Sequence, residues 1–452
     1  MPRLTAARHA VFFLLAFVLP AVALAQAPAA PDLAALRAAA EKGDAAAQLA
    51  YAKALPPAER AAARAWAQKS ADQGLAEAWF WLGYTATENE HPVFLYEQAA
   101  ERGNNEAFEY LFEGLLFRAG PAADVVKAKR FADLARQRGI TVGIYSAEDF
   151  AAIDQCYAAG APDIPPADRP SPPETAALRG QPDCRTFQGE GTHPADLVRY
   201  RKCLLSAAER DNNALAEIYA NGWGVRRNPT LAIALVCHGS DVPAELTGMV
   251  AALVKTRGEE KLHEPFTVCD YVTSGLNMGR CAAQGEDAAT EKRDAALAEL
   301  TAGWTAVQKE ALKELRHAAE TFFDQHAAGE LDLSGTARGA ISIGEVSELR
   351  DDLLQAIIGF EAGKLPAAGD FAKADRELNQ VYAQALREVS KEQQSTTVTT
   401  KGVRDAERAW LAYRDAWVKL GAARYPKAAA DRWKAWATLK RIGQLQTLMN
   451  GD

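Results

Sequence analysis

Ala39-Ala40-Glu41-Lys42-Gly43 is the first copy of a short tag that the chain keeps repeating. It returns as Ser70-Ala71-Asp72-Gln73-Gly74, as Ala99-Ala100-Glu101-Arg102-Gly103, as Leu134-Ala135-Arg136-Gln137-Arg138-Gly139, and as Ala207-Ala208-Glu209-Arg210-Asp211. The four glycines stand 31, 29 and 36 residues apart, the length of a two-helix repeat whose copies stack into a solenoid. Each glycine reads as the end of one helix, because a residue without Cβ enters the left-handed conformation freely. Asp44, Asn104 and Asn105 follow as caps of the next helix. Ala47, Ala78 and Ala107 sit four residues after a glycine, where a small side chain lets two helices approach closely. Pro56-Pro57 and Pro92 mark helix starts. An array of this kind offers a binding surface more readily than a catalytic cleft.

Arg3 and Arg8 precede an apolar run over residues 10 to 22, and Ala23-Leu24-Ala25 supplies the small residues of a signal-peptidase site. The run is short of the roughly 20 apolar residues that span a bilayer, so the reading is a cleavable signal cut after Ala25 rather than a transmembrane anchor. The expected compartment is the periplasm or the extracellular space. All six cysteines (Cys156, Cys184, Cys203, Cys237, Cys269 and Cys281) fall in the central third. An even count in an exported chain reads as three disulfides, with Cys184–Cys203 and Cys269–Cys281 the shortest plausible loops.

The mature chain carries an acidic body and a basic tail. Residues 366–452 hold 15 Lys and Arg against 10 Asp and Glu, whereas residues 26–365 hold 34 against 49. That balance does not suit nucleic-acid binding, which asks for a basic face. Either pole could steer a charged partner, or the two could attract each other. Prolines at 162, 165, 166, 170, 172, 173 and 182 argue against helix and for an extended connector. Beyond Cys281 the stripes Leu297, Leu300, Trp304, Val307 and Val346, Leu349, Leu353, Ile357, Phe360 read as packed helices.

Leu215-Ala216-Glu217-Ile218-Tyr219-Ala220-Asn221-Gly222-Trp223-Gly224-Val225, followed by Asn228 and Ala232, resembles the Sel-one-like repeat, a relative of the tetratricopeptide repeat. Leu82-Gly83-Tyr84 is a fainter copy. The last segment predicts three helices, over about 370–389, 400–420 and 426–449. Val403, Ala406, Trp410, Tyr413, Trp417 and Leu420 form a seam in the second, matched by Leu378, Tyr382, Ala385 and Val389 in the first, which predicts an antiparallel hairpin with a third helix over it.

Within that segment Asp375, Leu378, Asn379 and Tyr382, then Trp410, Tyr413, Arg414 and Asp415, then Thr438 to Arg441, resemble the motifs of the LprI-type lysozyme-inhibitor family over residues 366–450. The resemblance implies an exported helical module with a lysozyme as partner. Family members usually carry a cysteine after Tyr-Arg-Asp, paired with one in the third helix. Here Trp417 and Val418 stand in its place, with Trp433 or Trp436 opposite, so aromatic packing is expected instead. Asp375 and Arg414 are expected to pair, with Asn379 capping a backbone group. Arg424, Tyr425 and Lys427 could offer cations and a phenol to the carboxylates of a glycosidase cleft.

No catalytic pattern is found. His317, Glu320 and Asp324 share a helix face, but no His-Glu-x-x-His spacing supports a metal there, and there is neither a Gly-x-Ser-x-Gly elbow nor a phosphate-binding loop. No cofactor, metal or catalytic residue is expected. The sequence predicts an all-α chain: a solenoid of two-helix repeats, a disulfide-stapled central segment and a C-terminal helical hairpin or three-helix module. Its expected parts are a signal peptide (1–25), Sel-one-like repeats (26–145), a proline-rich linker with cysteines (146–197), a repeat with disulfides (198–285), a helical connector (286–365) and the LprI-like module (366–452). The expected function is that of a non-enzymatic binding or scaffold protein of the bacterial envelope using its repeats for protein interaction. The alternative is a lysozyme inhibitor acting through the C-terminal module.

Overall fold

The computed structural model describes residues 32–452 apart from 88–89, 91, 118–122, 141–144, 180–183, 185–193, 208–209, 241, 393–395 and 451–452. The predicted signal peptide and its cut lie outside the described residues. Among the described residues the regular elements are helical, apart from one bridge residue at Tyr145. The chain divides into two compact units, the division falling after Leu111.

The first unit is built from α1 (Leu33–Glu41), α2 (Ala45–Ala54), α3 (Arg60–Asp72), α4 (Ala76–Tyr84), α5 (Pro92–Glu101) and the start of α6 (Ala107–Phe112). The tag glycines do what their chemistry allows: Gly43, Gly74 and Gly103 have φ of 93°, 94° and 103°, a region that a Cβ disfavours. The chain then re-enters a helix through a polar cap. Asp44 accepts from the Ala47 amide at 2.7 Å and Asn104 from the Ala107 amide at 2.9 Å. Leu49, Ala52, Ala67, Ala71, Ala78 and Leu82 fill the core between α2, α3 and α4. Gly83 lies flat against Tyr96, where an added Cβ would stand 2.8 Å from the ring.

The second unit continues through a π-helical turn (Glu113–Phe117), α7 (Val125–Gln137), α8 (Ala147–Ala159), α9 (Pro172–Leu178), α10 (Pro194–Ser206), α11 (Asn212–Asn221), α12 (Pro229–Cys237) and α13 (Pro243–Lys255). The Leu215 run folds as a helix pair. Leu215, Ala216, Ile218 and Tyr219 are buried, Gly222 ends α11 in the left-handed conformation, and Asn228 caps α12 through the Leu231 amide at 3.0 Å. Three disulfides staple this region: Cys156–Cys237, Cys184–Cys203 and Cys269–Cys281, closing loops of 81, 19 and 12 residues. In the chain-entropy account, loops of this size stabilise by roughly 3 to 4.5 kcal/mol each.

The proline-rich stretch departs from the expected extended connector. Pro172–Leu178 is a helix, because its prolines occupy the first turn, where no amide is needed, and Ser171 and Glu174 form a capping box. Asp168 accepts from the Tyr219 hydroxyl at 3.1 Å, and Lys202 pairs with Glu174 at 2.7 Å, so the stretch is bound to α10 and α11.

The chain ends in six long helices: α14 (Gly275–Leu300), α15 (Ala306–Glu330), α16 (Arg338–Glu361), α17 (Phe371–Glu392), α18 (Thr400–Arg424) and α19 (Ala430–Asn450). The stripe over 297–307 is not one helix: Thr305 caps α15 with Gln308, and Val307 is left 72% exposed. Leu297, Leu315, Phe322, Phe323, Ile357 and Phe360 share one core with Leu378, Val403, Trp410, Trp417, Trp433 and Leu445. The expected hairpin between α17 and α18 is therefore replaced by a different pairing. The seam of α18 packs chiefly on α15, and α17 packs on α19.

A close crossing allows this. A Cβ on Gly329 of α15 would lie 2.7 Å from the carbonyl carbon of Gly402 in α18, and one on Gly402 would lie 2.6 Å from the Gly329 Cα. Backbone meets backbone, so neither neighbour can rotate away. Gly329→Ala should lower stability by about 1 to 3 kcal/mol or more through overpacking, read as a fall in the thermal midpoint by circular dichroism. A Gly335→Ala change, at φ 95° with open space around it, tests backbone strain alone.

Candidate functional site

Arg441 of α19 is completely buried, and it is charged. A guanidinium cannot shed its proton inside a protein, so its burial demands carboxylates. Glu330 of α15 supplies both of its oxygens, at 2.8 and 2.5 Å, and Glu407 of α18 accepts from Nε at 2.9 Å. The Phe322 ring lies 5.5 Å from the same cation. Glu330 also accepts from His326 Nδ1 at 2.7 Å, and His326 Nε2 meets Glu345 of α16 at 2.8 Å. Four helices thus meet on one chain of charges.

Burial disfavours the charged form of each member, and the partners decide the outcome. For His326 the hydrogen bonds to Glu330 and Glu345 win, and its pKa is raised. Burial also opposes ionisation of Glu330, but Arg441 holds its pKa below the usual range. The His326 contact lowers Glu345. Glu407 goes the other way: desolvation dominates and raises it.

The motif residues are dispersed by the fold. Leu378, on the α17 face toward α19, and Trp410, in the α18 seam, are buried, and Tyr382 is half-buried on α17. Tyr413 stacks on Phe322 with ring centroids 5.5 Å apart. Asn379 donates to the Asp375 carbonyl one turn back at 2.7 Å, inside α17 rather than at a helix end. The expected Asp375–Arg414 pair is not formed. Arg414 instead holds its sequence neighbour Asp415 at 3.0 and 2.8 Å and lies over the rings of Trp410 and Phe371. Arg414 does approach α17, but through the Phe371 ring one turn before Asp375, while its hydrogen bonds go to Asp415.

Arg424 and Tyr425, read as partner contacts, are engaged within the chain. Arg424 makes a bidentate pair with Glu361 at 2.9 and 2.7 Å, and the Tyr425 hydroxyl donates to Glu361 at 2.6 Å. Tyr425 stacks on Trp433, and Lys427 remains exposed. Trp417 lies parallel to Trp433 at 6.4 Å and edge-on to Trp436 at 5.1 Å, the aromatic packing expected at this point of α18. Gly421 leaves room for the Trp433 indole, which would overlap any Cβ there.

His317 and Asp324 are exposed, and Glu320 is held by Arg350, so these three do not converge. Among the described residues no cluster of His, Cys, Asp and Glu has metal-holding geometry, and no helix is long and apolar enough to cross a membrane. Sequence reading passed over His326, Glu330, Glu345 and Glu361. The one local signal is the His326-x-x-x-Glu330 spacing, which places both side chains on one helix face.

Beside this network a cleft of about 430 Å³ opens between α16 and α19. Glu345, Glu348 and Asp352 line one wall and Lys440 and Gln444 the other, with His326 and Glu330 at its base. Lys440 reaches across to Asp352 at 3.1 Å.

Residues 366–450 match the family model described as Lysozyme inhibitor LprI. The match spans α17 to α19 and leaves the rest of the chain uncovered. No curated protein matches the chain. Among solved structures, a protective antigen present in uropathogenic Escherichia coli strains and displaying an SLR fold aligns over 93% of this chain and 94% of its own, at 15% identity and a TM-score of 0.24.

Removing Arg441 should leave Glu330 buried with only His326 to hold it and take from Glu407 its guanidinium partner. Arg441→Met is expected to cost about 3 to 5 kcal/mol in urea unfolding, the scale for breaking one side of a buried pair. Asp415→Asn, at an exposed partner of Arg414, should stay within about 1 kcal/mol.

Proposed function

We propose that this is an exported, non-catalytic protein of the bacterial envelope that binds and inhibits a lysozyme through its C-terminal six-helix region. The observation that carries the reading is the family match over 366–450, which names lysozyme inhibition for the relatives of α17 to α19. Export is supported by the signal-like leader and by three disulfides, which persist in oxidising compartments.

Charge supports it as well. A tail with 15 basic and 10 acidic residues would by itself repel a basic enzyme. In the folded chain four of those cations are held by carboxylates of the preceding helices. Arg441 is held by Glu330, Arg424 by Glu361, Lys419 by Glu314 and Lys440 by Asp352. What this region then offers a partner includes the exposed carboxylate of Glu348 along the cleft, beside Glu345 and Asp352, which are held by His326 and Lys440.

A second reading gives the repeats their own protein partner. Tyr84 and Phe94 favour it, since both large rings of the first unit are 62% and 55% exposed.

The test is lysis of cell-wall substrate by a basic lysozyme in the presence of the full mature chain. Because α15 and α16 share a core with α17 to α19, the isolated tail is the wrong reagent. Dose-dependent protection that weakens as salt rises from low to physiological ionic strength is expected. Undiminished lysis at micromolar excess would exclude the inhibitor reading.

A further inference from the structure

Both ring nitrogens of His326 face carboxylates, Nδ1 toward Glu330 at 2.7 Å and Nε2 toward Glu345 at 2.8 Å. An ionised carboxylate only accepts, so each contact needs an N–H, and a neutral imidazole has one. The arrangement is complete only while the ring is an imidazolium.

The two carboxylates differ in what they can do when that proton leaves. Glu330 is 1% exposed and bound through both oxygens to Arg441, so it cannot move without stranding a buried cation. Glu345 is 32% exposed on the wall of the cleft and can swing into water. Proton loss therefore occurs at Nε2, and the lone pair left there repels Glu345. The remaining N–H stays on Glu330.

We propose that His326 is a pH-sensitive clamp. As an imidazolium it binds Glu345 and holds α16 against α15 at the base of the cleft; as neutral imidazole it releases Glu345, loosening that end of α16 and adding a free carboxylate to the cleft.

The charges around the ring come from four helices. Glu330 lies on its own helix, Glu345, Glu348 and Asp352 on α16, Glu407 on α18, and Lys440 and Arg441 on α19. Burial and the Arg441 charge both oppose protonation, and the hydrogen bonds to Glu330 and Glu345 outweigh them, so the folded pKa lies above the ordinary histidine value. The clamp is thus fully present below the unfolded pKa of about 6.5 and is lost as pH rises through the folded pKa.

Two measurements on the full mature chain test this. The His326 ring-proton titration by NMR should show a pKa above about 6.5. Hydrogen exchange of residues 338–350, corrected for intrinsic base catalysis, should accelerate through that same pKa, by up to about tenfold for each unit by which it exceeds the unfolded value. In Glu345→Gln the amide can donate to the neutral ring and accept from the charged one, so the pH-dependent step should vanish while the helix stays protected. Glu348→Gln, in the same cleft but not touching His326, should keep the step. Wild-type exchange unchanged across the His326 titration, a pKa at or below 6.5, or a step that survives Glu345→Gln would each overturn the proposal.

Discussion

Arg441 brings a charge that cannot be neutralised into a site closed to water, and the geometry of the last six helices follows from satisfying it. Its two forks need carboxylates in fixed directions, and the fold delivers them from α15 and α18. Such a pair is weak evidence for net stability, since desolvating both ions offsets most of their attraction. Its stronger effect is on register. A shift of α19 by one turn, about 5.4 Å, would separate Arg441 from Glu330 and leave two buried charges unpaired.

This constraint redraws the boundaries of the C-terminal region. The family match begins at residue 366, yet the partner that completes the Arg441 pair is Glu330, which lies before it. Phe360, also outside the match, packs edge-on against Trp417, Trp433 and Trp436. The helices read as a connector are therefore half of the core. The tryptophan cluster differs from a covalent link in reach. A disulfide joins two helices, whereas these rings also fix α16 through Phe360 and the α18–α19 turn through Tyr425.

What the sequence revealed follows the range of the signal. The tag glycines, the caps at Asp44 and Asn104 and the Gly222 turn are local statements about one residue's backbone, and each could be read without knowing the fold. The seam Val403 to Leu420 is legible as a buried face, but an apolar stripe does not say what covers it, and its sequence neighbour α17 is not the helix it packs on chiefly. Proline density argues against helix, yet Pro172 and Pro173 stand in a helix's first turn, a position that composition does not reveal. Arg441, Glu407 and Glu330 look like surface residues in a linear reading. Only the packing of α15, α18 and α19 shows that they meet one another inside.

The charge asymmetry of the chain has the same origin. Residues 275–365 hold 16 Asp and Glu against 9 Lys and Arg, and the following segment has the opposite excess. Read linearly, that suggests two poles waiting for two partners. In the fold the excess charges meet across the shared core, buried at Arg441–Glu330 and half-buried at Arg424–Glu361, where low dielectric makes the attraction count. The exposed pairs Lys419–Glu314 and Lys440–Asp352 add little in physiological salt. The asymmetry is thus mainly a device of assembly, selecting which helices of an alanine-rich, all-helical chain lie together. The acidic wall of α16 lines the cleft beside these pairs, with Glu348 its exposed member.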